Sequence, residues 1–243
     1  MASSQVSAAV GVSFVVAGPG DPDLLTVRAH RLLQSADVVV VDEEITRLAE
    51  IVSSGQVLVA VDNAGAPLSL AARTKVLLDA RKDGLQVVRL LSGDPVLDGR
   101  LAMETSAIAK AGHAFEVAAG VSPLTAVAAH VGVSLTGGRT REVRIIDADS
   151  PIVDWAAHID PLVTLVVHNA ADRVTEVSKA LIKAGREGST PVAIVRDGAT
   201  VEQRSLHSTL EALPNAVKLA KQSGNGIVII GETVGDRTAW FEN

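Results

Sequence analysis

Two aspartates stand where carboxylates could act on a bound molecule. Asp42 directly follows the apolar run Val38–Val41, and Asp94 lies in Ser92-Gly93-Asp94-Pro95, directly after Val87–Leu91. A third polar loop, Gly18-Pro19-Gly20-Asp21-Pro22, follows Val12–Ala17. Glycine lets a backbone approach a ligand closely, and proline fixes the shape of the loop that does so. Carboxylates in such loops supply acceptors and negative charge, which suits a cationic ligand. Taken singly, each loop is also ordinary turn chemistry.

Other chemistries lack their residues. Gly-x-x-x-x-Gly-Lys-Ser/Thr is absent and no Gly-x-Gly-x-x-Gly follows a strand, which counts against ATP and NAD. The six histidines (30, 113, 130, 158, 168 and 207) show no metal-ligand spacing, so no metal is expected. His168 ends a strand and reads as a packing residue. No Gly-x-Ser-x-Gly elbow supports a serine hydrolase. With no Cys there is no disulfide and no thiolate nucleophile. Arg139, Arg141 and Arg144 could meet carboxylates of a substrate, but read first as solvated surface charge.

The elements that must position these loops follow a βαβ rhythm. Strands are expected at Val12–Ala17, Val38–Val41, Val57–Val61, Val87–Leu91 and Ala114–Val117. Between them, Leu24, Leu25, Ala29, Leu32, Leu33 and Ala36 keep helical spacing, Ser69 caps a helix through about Lys82, and a further helix covers Gly99–Ala111. That alternation predicts a parallel sheet with crossover helices and ligands at the carboxyl ends of the strands.

The pattern changes after Gly120. A helix at Pro123–Val131 and a turn at Gly137-Gly138 precede strand Val143–Asp147. Then come strand Val163–His168, helix Asp172–Ala184, strands Val192–Arg196 and Gln203–His207, helix Thr209–Gln222 and strand Ile227–Gly231. Two adjacent strands with no helix between them predict a hairpin in a mixed sheet. The expected division is an N-terminal α/β lobe over 1–125 and a C-terminal α/β lobe over 126–243, with a ligand in the inter-lobe cleft.

Composition agrees with this class. Hydrophobic residues make up 47% and aromatics only 2%, with no Tyr, so the core is built from Val, Ala, Leu and Ile, as covered parallel strands require. The net charge of −6 argues against a broad nucleic-acid surface. The apolar run near the N-terminus is too short and wrongly flanked for a signal peptide, and the uncharged stretch Val117–Gly138 is broken by Gly, Ser, Pro and His130. A soluble, cytoplasmic protein without membrane contact is expected.

In order along the chain, these segments resemble the uroporphyrinogen-III C-methyltransferases of the tetrapyrrole methylase family. AGPGDPDLLTVRAHRLLQSADVVVVD (Ala17–Asp42) resembles the family's first signature, and VVRLLSGDPVLDGR (Val87–Arg100) its second. EVAAGVSPLTAVAAHVGVSLT (Glu116–Thr136), TPVAIVRDGATVEQRSLHSTL (Thr190–Leu210) and GETVGDRTAWF (Gly231–Phe241) extend the match nearly end to end. The resemblance implies a homodimeric two-lobed α/β methyltransferase. It would use S-adenosylmethionine, release S-adenosylhomocysteine, and methylate uroporphyrinogen III to precorrin-2 on the way to siroheme and cobalamin. It also implies cofactor contacts at Pro19, Ser92, Gly93, Asp94, Leu97, Ser122, Pro123, Asn169 and Gly198, with Asp42 as the acid/base group.

The chain departs from the family pattern in places. The family's Gly-Lys-Arg is here Val61-Asp62-Asn63, its cofactor-contacting Met is Asn169, and its Gly-Gly-Asp-Pro is Ser92-Gly93-Asp94-Pro95. Its first loop Gly is Val16, and its Thr-His-Arg is Thr136-Gly137-Gly138-Arg139. These changes leave two alternatives open. One is a degenerate methylase that binds cofactor or tetrapyrrole without efficient catalysis, as a domain excised from a fusion with uroporphyrinogen-III synthase or a partner in contact with it. The other is a methylase of the same fold acting on a different substrate.

Overall fold

A computed structural model describes residues 11–220 and 226–236 of the chain. The chain forms two compact units, Met1–Ser122 and Pro123–Asn243. The expected division at 125/126 falls inside a helix that starts at Pro123. Leu124 and Val127 of that helix pack with the second unit's strands, so the break comes before it.

In the first unit the elements are β1 (Val12–Val16), α1 (Val27–Ser35), β2 (Val38–Val41), α2 (Thr46–Val52), β3 (Gln56–Val59), α3 (Leu70–Lys82), β4 (Val87–Leu91), α4 (Arg100–Lys110) and β5 (Phe115–Ala118). The strands form one sheet in the order β3-β2-β4-β1-β5, and all four pairings are parallel. Both faces are buried, which explains the unbroken valines of β2. Val39 and Val41 pack with α1 and α2 through Leu32, Leu33 and Leu48. Val38 and Val40 pack on the other side with Leu77 of α3 and Ile108 of α4.

Local signals set most boundaries. The Thr26 hydroxyl accepts from the Ala29 N–H at 3.2 Å and starts α1, later than the leucine spacing alone suggests. The Ser69 hydroxyl accepts from Ala72 N–H at 3.2 Å and starts α3, as expected. β3 stops at Val59 because the chain turns back, with Val61 bridged to Pro67. The Asp62 carboxylate caps that turn, accepting from the N–H groups of Ala64 at 2.8 Å and Ala66 at 2.9 Å.

The second unit contains α5 (Pro123–His130), β6 (Glu142–Asp147), β7 (Val163–His168), α6 (Val174–Ala184), β8 (Pro191–Arg196), β9 (Arg204–Thr209), α7 (Leu213–Ala220) and β10 (Gly226–Ile230). Its sheet runs β6-β7-β10-β8-β9, parallel at β6/β7 and antiparallel elsewhere. The expected hairpin is β8–β9. Thr209 remains paired with Pro191, so α7 starts later than Thr209. The predicted helix end at Gln222 and the final resemblance through Phe241 reach outside the described residues. Among the described residues, no helix is long and apolar enough to cross a membrane.

Candidate functional site

Because β1, β2 and β4 run in parallel, the loops after them emerge at one edge of the first sheet. The first and third loops are joined there. Gly18 and Gly93 form an antiparallel bridge, and the Ala17 N–H donates to the Leu91 carbonyl at 2.9 Å. Both glycines have positive φ, 71° and 65°, a conformation that costs other residues free energy. A Cβ at Gly18 would lie 2.7 Å from the Val121 carbonyl oxygen. Gly18→Ala is therefore expected to cost about 1–3 kcal/mol, read as a lower urea midpoint at unchanged m. A midpoint equal to wild type would show that the loop has room to relax.

Asp42 is the centre of this edge. One carboxylate oxygen, Oδ1, accepts from Arg89 Nη2. The other, Oδ2, accepts from the Ser92 N–H at 2.9 Å, the Ser92 hydroxyl at 3.1 Å and Arg100 Nη1 at 2.8 Å. Arg100 also donates to the Ser92 carbonyl at 2.8 Å and to Asp98 at 2.7 Å. Burial pushes the Asp42 carboxyl upward, but the Arg89 charge, the Ser92 N–H and Arg100 outweigh it and hold it below the usual carboxylate range. Asp42 is thus ionised at neutral pH, a fixed negative charge whose two oxygens are held by these donors.

Arg89 is the residue that sequence reasoning missed. It lies in the middle of β4, 1% exposed, on the face covered by α3 and α4. Its Nε and Nη2 bind Glu104 of α4 at 2.8 and 3.1 Å, and its Nη1 donates to the carbonyls of Leu90 at 2.7 Å and Val40 at 3.4 Å. With the Asp42 contact, all five guanidinium N–H groups are used. Arg73 of α3 adds its Nε 3.1 Å from the second Glu104 oxygen. The result is an alternating series, Arg73–Glu104–Arg89–Asp42–Arg100–Asp98, from between two helices to the strand edge. The signal available in the sequence was one charge inside an otherwise apolar run, Val-Val-Arg-Leu-Leu.

The expected site residues fall into two groups. Pro19, Asp42, Ser92, Gly93, Asp94, Leu97 and Ser122 belong to the first unit, and the loops that carry them follow β1, β2, β4 and β5. Pro123, Asn169 and Gly198 belong to the second. Asn169 directly follows β7 and Gly198 follows β8, strands that both pair antiparallel with β10 and so end at the same edge. That edge carries three non-glycine residues with left-handed backbone, Asn169 (φ 56°), Asp197 (φ 49°) and Ala199 (φ 61°). Such strain concentrates at ligand sites. The Asn169 amide donates to Asp147 at 3.0 Å.

Gly198 has a packing reason as well, since a Cβ there would lie 2.4 Å from a Val127 methyl. Asp62, in place of the family lysine, serves its turn. Arg139 is 75% exposed and pairs with Glu232 at 3.0 Å, and Arg144 pairs with Glu142 at 2.7 Å, as surface charges do. His168 is half-buried, its Nδ1 3.8 Å from Asp147. Among the described residues, no group of three or more His, Cys, Asp or Glu could hold a metal ion.

This α/β arrangement, a parallel sheet followed by a mixed sheet, matches the fold of solved tetrapyrrole methyltransferases. A cobalt precorrin-4 methyltransferase superposes with a TM-score of 0.83 at 25% identity, covering 95% of this chain and 99% of that one. A Thermus thermophilus uroporphyrin-III C-methyltransferase, complexed with S-adenyl homocysteine, gives 0.76 at 28% identity over 93% of this chain and 99% of its own. The chain belongs to the tetrapyrrole (corrin/porphyrin) methylases, whose family profile matches residues 11–214. It is 35% identical to a siroheme synthase of Azotobacter vinelandii over 241 residues, 95% of this chain and 52% of that protein. A siroheme synthase of Chromobacterium violaceum is also 35% identical, over 99% of this chain and 53% of its own length. The chain thus spans about half the length of these curated relatives.

Proposed function

We propose that this chain transfers methyl groups from S-adenosylmethionine to ring carbons of uroporphyrinogen III, giving precorrin-2 for siroheme and cobalamin synthesis. The observation that carries the reading is the ionised Asp42 held between Arg89, Arg100 and the Ser92 loop at the edge where β1, β2 and β4 end. The residues present fit a positively charged methyl donor. Gly93, left-handed and with open space where a Cβ would sit, lets a ligand approach the loop backbone, and Asp94 beside it supplies negative charge. Pro19, Ser92, Leu97, Ser122, Pro123, Asn169 and Gly198 complete the proposed cofactor contacts.

When bound, S-adenosylmethionine supplies an electrophilic methyl on a sulfonium. The chain's contribution is to orient the acceptor carbon and to hold charge. A pyrrole carbon that gains a methyl group leaves its ring cationic. The Asp42 carboxylate then stabilises that cation or takes its proton. Arg89 and Arg100 keep Asp42 ionised and fixed, so no reorganisation is needed as charge develops. A homodimer, a cytoplasmic location and contact with uroporphyrinogen-III synthase belong to the same proposal, on the strength of the family resemblance alone.

The test is anaerobic incubation of the chain with S-adenosylmethionine and uroporphyrinogen III, followed by mass spectrometry of the tetrapyrrole. Mono- and dimethylated products are expected. Calorimetric binding of the cofactor with no methylated product would overturn the catalytic reading and leave a binding protein.

A further inference from the structure

The ion-pair series runs deeper than direct contact with a substrate requires. Glu104 is 2% exposed and Arg89 1%, both within the apolar layer where Leu77 and Ile108 meet the sheet. Buried ion pairs of this kind rarely add net stability over well-packed apolar residues, because desolvation cancels most of the attraction. A leucine at 89 and another at 104 would suit this layer. Stability alone therefore does not account for the charges.

Geometry does. Arg89 Nη2 is shared between Glu104 Oε1 and Asp42 Oδ1, while Nε binds the other Glu104 oxygen. The two-point contact with Glu104 fixes the plane of the guanidinium, and that plane fixes where Nη2 meets Asp42. Arg73 in turn sets a positive charge beside Glu104, at ion-pair distance but without a hydrogen bond from its Nε. Its Nη1 donates to the Leu68 carbonyl at the start of α3, and its Nε lies beside Glu104 Oε1. Asp42 in turn faces two guanidiniums, Arg89 and Arg100, and Glu104 is the second carboxylate on Arg89.

We propose that Glu104 and Arg73 are positioning residues for the methylation reaction, acting through Arg89 to set the place of the Asp42 carboxylate. The proposal rests on the reading of Asp42 given above. Neither residue reaches the strand edge, so each acts on the rate of reaction and not on cofactor affinity.

The experiment uses the full chain with S-adenosylmethionine and uroporphyrinogen III. It measures kcat, KM for the tetrapyrrole and calorimetric Kd for the cofactor in wild type, Asp42→Asn, Glu104→Gln, Arg73→Met and Arg73→Lys. Glu104→Gln and Arg73→Met are expected to lower kcat by about tenfold or more, with cofactor Kd within about threefold of wild type. Arg73→Lys keeps a cation beside Glu104 and is expected to recover most of that rate. If kcat in both variants stays within about twofold of wild type while Asp42→Asn is slow, the positioning role is wrong and the reading of Asp42 stands. An Asp42→Asn as fast as wild type removes the reading of Asp42 and the positioning role together. Should Glu104→Gln fail to fold, Arg73→Met decides. A fall in its cofactor binding equal to the fall in kcat would mark a structural role and overturn the proposal.

Discussion

Asp42→Asn is expected to lower kcat by about a hundredfold or more, within the usual contribution of a positioned proton acceptor. Asparagine keeps the size of the side chain and one oxygen for the Ser92 N–H, so the loop stays in place. What it loses is the negative charge that Arg89 and Arg100 surround. Cofactor affinity should move by less than about 1 kcal/mol, because the proposed role lies in the transition state. Initial rates at saturating substrate, paired with calorimetry of the cofactor, check both halves. Equal losses in rate and in cofactor binding would mean that Asp42 holds the Ser92 loop and takes no part in the reaction.

The second large effect is on stability. Arg89→Met is expected to cost about 3–5 kcal/mol, because it leaves Glu104 buried with Arg73 alone and removes one of the two cations on Asp42. Urea unfolding at constant pH measures it. Adding Glu104→Gln to Arg89→Met should recover part of the loss, since the stranded carboxylate is then neutral. A single-variant loss below about 1 kcal/mol would show that water or a rearranged Arg73 replaces the missing guanidinium.

Elements with one clear local signal were legible in the sequence. The four valines of β2 read as a strand buried on both faces, and Ser69 with the apolar spacing behind it marked α3 from its cap to Lys82. The helix α2 was not read. It has seven residues, no side-chain cap, and the mixed run Thr-Arg-Leu-Ala-Glu-Ile-Val. Strand order was equally out of reach, because β4 enters the sheet between β2 and β1 only through pairings distant in sequence.

The site divides in the same way. Loops that follow strands announce themselves by Gly, Pro and Asp, so Asp42, Gly93 and Asp94 could be chosen from type and position. The charges around Asp42 could not. Its partners lie 47, 50 and 58 residues away, and the charge of Arg89 inside an apolar strand is matched by Glu104 of a helix opposite it. A buried arginine is explained by its partners, and those become known only in three dimensions.

The bridge between Gly18 and Gly93 also bears on how such enzymes can be re-engineered. A loop transplanted from a relative to alter substrate choice is not an independent cassette in this fold. Here the two segments grip each other through main-chain atoms, so a graft of either one alone meets a counterpart shaped for a different mate. Chimeras that swap both together preserve the match, and the pair is the natural unit of exchange.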